Sequence, residues 1–197
     1  MDGKLITIYG INNIGKSTHC KRLTDKLIAE GYDAVFLKYP VYDCSPTGPK
    51  INEILRSHDP QSVSEEELQT LFMQNRKDFE PELNTLLKEG KIVVAEDYTG
   101  TGIAWGTAKG LSKAWLEDLN KDLREEDFAI LITGQRITRA REEKHIHETN
   151  DVLVEKVGKV LNNLAEAHDW HKVVLQDEKD DTAASIWGIV KNFLQNN

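Results

Sequence analysis

The chain has 197 residues, 39% of them hydrophobic, enough for one domain with a full core. A formal charge of −8 argues against a general binder of nucleic acid or anionic membranes, and no apolar run approaches the ~18 residues of a membrane helix. Two cysteines, Cys20 and Cys44, form no metal or redox motif and are expected as free thiols in a reducing compartment, which points to the cytoplasm.

The N-terminal residues run directly into Lys4–Gly10 (KLITIYG), an apolar, β-branched stretch that predicts a buried strand without the pattern of a signal peptide. Gly10–Thr18 (GINNIGKST) then fits G-x-x-x-x-G-K-[ST], the phosphate-cradling P-loop. Glycines at both ends let backbone N–H groups approach an anion. Asn13, Ile14, Gly15, Lys16, Ser17 and Thr18 are the expected ATP contacts; Lys16 reaches the terminal phosphates and Ser17 offers a hydroxyl to Mg²⁺. Leu23, Leu27 and Ile28 follow at helical spacing, and Gly31 marks the stop.

Ala34–Pro40 predicts a second strand, ending on Lys38 and Tyr39. Lys38 is either a contact for an acceptor's phosphate or a solvated lysine. A long helix starts at Ser64, with a capping box on Ser64 and Glu67, and Pro81 predicts a kink or break near Phe79 and Glu80. Phe72 and Arg76 lie four apart on that helix. Together they could stack on and hydrogen-bond a base; alternatively Leu68, Leu71 and Phe72 form a core stripe with Arg76 on the surface.

Lys91–Asp97 predicts a strand that delivers Glu96 and Asp97, carboxylates suited to Mg²⁺ in phosphoryl transfer or to capping the next helix. Thr99, Gly100, Thr101 and Gly102 allow close backbone approach and add hydroxyls. Phe128–Thr133 is another strand. The segment of about 134–150 is dense in charge (Arg136, Arg139, Arg141, Lys144, His145, His147) and sits where nucleotide kinases carry a mobile, arginine-bearing lid. A helix over 149–168, a strand over 171–176 and an amphipathic helix over 181–195 close the chain.

Strands alternating with helices predict a three-layer α/β/α fold on a parallel sheet of about five strands, one domain over residues 1–197. Ligands in such sheets sit beyond the carboxyl ends of the strands, at 10–17, 38–40, 96–101 and 134–141.

With these motifs in order, the sequence resembles the thymidylate kinases, closest to the eukaryotic and poxviral branch, over most of its length. LKYPVYDCSPTGPKINEIL resembles the family's R-F-P-x-R-S-T-x-x-G-K-x-I, LFMQNR its L-F-x-A-N-R, and EDYTGTGIAWGTAKG its D-R-Y-x-x-S-G-x-A-x-x-x-A-K-G. The resemblance implies the P-loop containing nucleoside triphosphate hydrolase fold, ATP with Mg²⁺, dTMP as acceptor, no nucleic-acid or membrane partner, and a homodimer formed by helix packing. It implies that Phe72 stacks on the pyrimidine, Arg76 hydrogen-bonds it, and Thr101, in place of the family serine, lines the pocket with Gly102, Tyr39 and Tyr98. Lys38 replaces the arginine on the acceptor phosphate, and Glu96 replaces the aspartate that works with Ser17 on Mg²⁺.

Three further positions depart from the pattern. Asn12, in place of an aspartate, could still bond a sugar hydroxyl. Asn13 supplies no cation, so the lid arginines Arg139 and Arg141 become the catalytic candidates, with Arg136 on ATP. Asp97 stands where the family places an arginine near the acceptor phosphate, turning attraction into repulsion. The activity expected is transfer from ATP to dTMP; the alternatives are the same fold acting on another pyrimidine nucleotide or a deoxynucleoside, or a nucleotide-binding module without catalysis.

Overall fold

In the computed structural model, residues 3–56, 63–135 and 151–196 are described. Five strands, β1 (Lys4–Tyr9), β2 (Ala34–Lys38), β3 (Ile92–Glu96), β4 (Phe128–Thr133) and β5 (His171–Val174), form one sheet in the order β2-β3-β1-β4-β5. All four pairings are parallel. Seven helices are described: α1 (Lys16–Ala29), α2 (Thr47–Arg56), α3 (Glu65–Lys88), α4 (Thr99–Ala108), α5 (Lys113–Asn120), α6 (Asp151–Ala167) and α7 (Lys179–Asn196).

The central strands are apolar on both sides because each face is covered. Ile6 and Ile8 of β1 pack with Leu23 and Leu27 of α1 and with Ile186 and Val190 of α7. Leu5 and Tyr9, of opposite parity, join Leu83 of α3, Ile103 of α4 and Leu161 of α6. The period of two along the strand thus feeds two separate cores, and the three-layer architecture read from the sequence is the one observed. Smaller helices sit outside this frame: α2 packs on α3, and α5 on α3 and α4.

The capping box forms as expected: Ser64 Oγ accepts from the Glu67 amide at 3.2 Å, and Glu67 Oε2 from the Ser64 amide at 2.8 Å. Of the kink or break expected at Pro81, the break does not occur; α3 runs through it as one helix. A mid-helix proline costs about 3 kcal/mol, and the burial of Leu83 and Leu87 beyond it offsets that cost. Helices α2, α4 and α5 were not foreseen. In α4, TGTGIAWGTA, three glycines and three threonines mask the helical signal, so Thr99–Gly102 open a helix rather than a loop.

Tyr9 is fully buried, stacked on Trp170 with ring centroids 4.2 Å apart, and donates to Glu126 Oε1 at 2.8 Å. Burial pushes the half-buried Glu126 carboxyl above its ordinary value of 4.5, against the lowering effect of the Tyr9 hydroxyl. The native state therefore holds this proton more tightly than the unfolded chain, and stability falls as pH rises from 4.5 through the raised native value. Glu126→Gln keeps the acceptor and removes the charge. Its Tm should match wild type near pH 4 and exceed it increasingly toward pH 7 in calorimetry; an equal difference at both pH values would refute the burial argument.

Candidate active site

Connections leave β1 toward β2 but leave β3 toward β4, across β1, so the order reverses at the carboxyl ends of these two neighbours. A crevice opens at such a switch point. Ile8 pairs with Glu96, and the Asp97 amide donates to the Ile8 carbonyl at 3.2 Å, which brings the P-loop and both acidic residues to one place.

The loop turns into α1 through left-handed backbone at Asn13 (φ 64°) and Gly15 (φ 97°). The N-terminal amides of α1 have no intrahelical acceptors and form an anion site at the loop's end. Lys16 curls back over the loop. Its Nζ donates to the carbonyls of Gly10 at 2.9 Å and Ile11 at 3.2 Å and lies 3.7 Å from Asp97 Oδ1.

Beside it, Ser17 Oγ donates to Glu96 Oε1 at 2.8 Å, and Lys38 Nζ lies 3.0 Å from the same oxygen. The other carboxylate oxygen, Glu96 Oε2, is buried without a hydrogen-bond partner. A hydroxyl and an unspent carboxylate oxygen suit Mg²⁺, which takes one or two protein oxygens and completes its shell from phosphates and water. Among the described residues no cluster of three or more His, Cys, Asp or Glu could hold a metal by itself, so such an ion would depend on the nucleotide.

Asp97 faces the site. It adopts φ 63°, tolerable for aspartate, and accepts from Thr101 Oγ1 at 2.7 Å. Burial pushes its carboxyl up, Lys16 pulls it back and Glu96 adds to the rise, for a net upward shift. Lys38 is also raised: burial lowers it, but Glu96 outweighs burial. Each lysine is thus opposed by one carboxylate, and Lys16 offsets part of the sign conflict read at position 97.

All of this lines a single cleft of about 760 Å³. Asn12, Asn13, Gly15, Lys16, Ser17, Thr18, Lys38, Tyr39, Phe72, Arg76, Glu96, Asp97, Thr101 and Gly102 all border it. Two expected contacts do not. Ile14 is fully buried in the core beneath the loop, and Tyr98 is 1% exposed behind the cleft wall, where its carbonyl accepts from Arg76 Nη2 at 2.9 Å. Arg139, Arg141 and Arg136 lie outside the described residues, as does the expected lid apart from Gly134 and Gln135.

Arg76 is a buried cation rather than a surface arginine. Its Nη1 donates to Asn120 Oδ1 at 3.2 Å, and its Nε has no partner. Gln69, Trp105 and Lys109 also line the cleft and were not singled out in the sequence. Their signal was present. Gln69 continues the face of Phe72 and Arg76 by one turn, and Thr101, Trp105 and Lys109 repeat every four residues. The second pattern was unreadable without recognising α4 as a helix.

The sequence matches the model of the thymidylate kinase family over residues 8–186. It is 38% identical to the thymidylate kinase of African swine fever virus (strain Badajoz 1971 Vero-adapted) over 136 residues, 69% of this chain and 53% of that protein. It is 29% identical to the thymidylate kinase of Schizosaccharomyces pombe over 161 residues, 82% of this chain and 75% of that protein. The fold is similar to that of thymidylate kinase from Candida albicans, with a TM-score of 0.82, 22% identity, and coverage of 100% of this chain and 94% of that one.

Proposed function

This chain belongs to the thymidylate kinase family, and we propose that the cleft is where it transfers the terminal phosphoryl group of ATP to dTMP, giving ADP and dTDP. It is an ATP-dependent nucleoside monophosphate kinase. The observation that carries the assignment of the site is the meeting, in one cleft, of the Lys16–Ser17–Glu96 cluster with Phe72, Arg76 and Thr101.

Donor and acceptor enter from opposite sides. The P-loop amides and Lys16 hold the terminal phosphates of ATP, with Asn13 and Thr18 beside them. Ser17 and Glu96 would hold Mg²⁺, which would offset the charge on the phosphates. Phe72 stacks on the pyrimidine, the unspent N–H groups of Arg76 bond its carbonyl edge, and Thr101 and Gly102 leave room for base and sugar. Asn12 takes a sugar hydroxyl, and Lys38 meets the acceptor phosphate from the edge of Glu96. Arg139 and Arg141 would supply cations to the transferring group and Arg136 a contact to ATP. Little covalent chemistry falls to the protein: it aligns two anions and lowers the cost of bringing them together. The compartment we infer is the cytoplasm, where the two thiols stay reduced, and the active form we infer is a homodimer.

The test is ADP release with ATP and Mg²⁺ against dTMP, dUMP, dCMP, thymidine and deoxycytidine. Turnover with dTMP is expected; turnover with thymidine but not dTMP would overturn the assignment. Asp97→Asn keeps a side-chain acceptor for Thr101 and removes a negative charge from the phosphate end. Unit charges ~4 Å apart interact by roughly 1 kcal/mol in water and about 4 when shielded. The substitution is therefore expected to lower KM for dTMP by about tenfold, as checked by steady-state kinetics. An unchanged KM would show that Lys16 already neutralises Asp97.

A further inference from the structure

The base end of the cleft contains a polar chain that phosphoryl transfer does not use. Lys109 Nζ, at the end of α4, donates to Glu65 Oε2 on α3 at 2.6 Å, a pair with side chains only 17% and 14% exposed. Glu65 Oε1 accepts from Gln69 Nε2 at 2.8 Å. A carboxylate only accepts hydrogen bonds, so it dictates that the amide nitrogen of Gln69 faces Glu65 and the amide oxygen faces away.

That oxygen points to the cleft. A Cβ built on Gly102 would lie 3.1 Å from Gln69 Oε1 and 3.1 Å from Arg76 Nη2, so an acceptor and a donor converge over one bare Cα. Gln69 is itself only 3% exposed, and among the described residues its Oε1 accepts no hydrogen bond. Arg76 spends two of its five N–H groups on Asn120 and Tyr98, which leaves donors for a ligand.

We propose that Gln69 is a specificity-determining residue that reads the edge of the pyrimidine. Its oxygen accepts the ring N–H of thymine or uracil while Arg76 donates to the adjacent carbonyl. The inference rests on the base lying between Phe72 and Arg76, as in the reading above. Thymine offers a carbonyl beside a ring N–H; cytosine offers an amino group beside a bare ring nitrogen. Cytosine would set donor against donor at Arg76 and acceptor against acceptor at Gln69. An unmatched buried polar group is costlier than a missing contact, so the pair rejects cytosine as well as attracting thymine. Glu65 and Lys109 act through Gln69 and are positioning residues: they fix which way the amide faces.

The test is equilibrium titration of dTMP and dCMP into the intact protein, with unfolding midpoints recorded for each variant. Wild type should bind dTMP more tightly than dCMP. Gln69→Leu should reduce that preference about tenfold, by weakening dTMP and by relieving the acceptor–acceptor clash with dCMP. Glu65→Gln fills the same space but accepts either amide orientation, and should reduce the preference by a smaller factor, at a lower unfolding midpoint because Lys109 loses its counter-charge. A purely structural role would weaken both nucleotides together. An unchanged preference in both variants, or no preference in wild type, overturns the proposal, while dTMP turnover by the same preparations keeps the kinase assignment. Absence of dTMP turnover by wild type would overturn that assignment instead, and the two binding constants would still decide the role of Gln69.

Discussion

Lys16→Ala is expected to lower kcat for dTMP phosphorylation by about 10²–10³-fold, the scale of losing one preorganised charge donor at a reacting centre. The ammonium is already held over the loop by the Gly10 and Ile11 carbonyls, so little reorganisation separates it from the phosphates. Removal has a second consequence. Asp97 would lose the only cation within 4 Å of it among the described residues, leaving a carboxylate that burial already pushes toward its neutral form. The double variant Lys16→Ala/Asp97→Asn should therefore recover stability relative to Lys16→Ala, while activity stays low. Rapid-quench kinetics and thermal unfolding of the three variants separate the effects. A kcat within tenfold of wild type for Lys16→Ala would remove this lysine from the chemistry.

Arg76→Leu should weaken dTMP binding by about 10–100-fold while changing Tm little. Hydrogen bonds to a charged group contribute about 1.5–3 kcal/mol, and the guanidinium is the cationic donor beside Phe72 at the base end. The small change in stability comes from opposing effects. Two acceptors, the Tyr98 carbonyl and Asn120 Oδ1, lose their donor, which costs about 1–3 kcal/mol each if neither finds another. Against this, a buried cation disappears. The two acceptors are neutral groups, no carboxylate lies within salt-bridge distance among the described residues, and its Nε has no partner. Burying an unpaired charge costs several kcal/mol, so removing it offsets the lost hydrogen bonds. Arg76→Lys should not restore binding, because a point charge on a flexible stem does not reproduce the planar fork. Titration with dTMP and calorimetry check both halves. A Tm loss as large as that of a core truncation, with dTMP affinity retained, would make Arg76 a structural residue only.

The strands, the P-loop and the capping box were legible because their causes are local. Hydrophobic period, glycine spacing and a Ser-x-x-Glu pair act within a few residues. The three-layer arrangement followed from alternation alone, and the register of Ile8 with Glu96 then makes the loop and the acidic pair neighbours. The sequence could not reveal α4, because glycine and threonine in TGTGIAWGTA oppose the helix that tertiary packing imposes. Of the kink or break it predicted at Pro81, the break is absent, because the local cost of proline is outweighed by the burial of Leu83 and Leu87 beyond it.

Which charges cancel was also beyond the sequence. Asp97 as a letter promised repulsion; Asp97 in left-handed backbone, bonded to Thr101 and 3.7 Å from Lys16, is partly offset by a lysine 81 positions away. Arg76 and Gln69 carry no local sign of burial, and only the convergence of α3 and α4 over Gly102 gives them an edge to present. By itself the sequence determined the fold and the P-loop, since both arise from patterns along the chain. Electrostatic balance and the proposed reading of the base arise between elements, where distance depends on packing rather than on position in the chain.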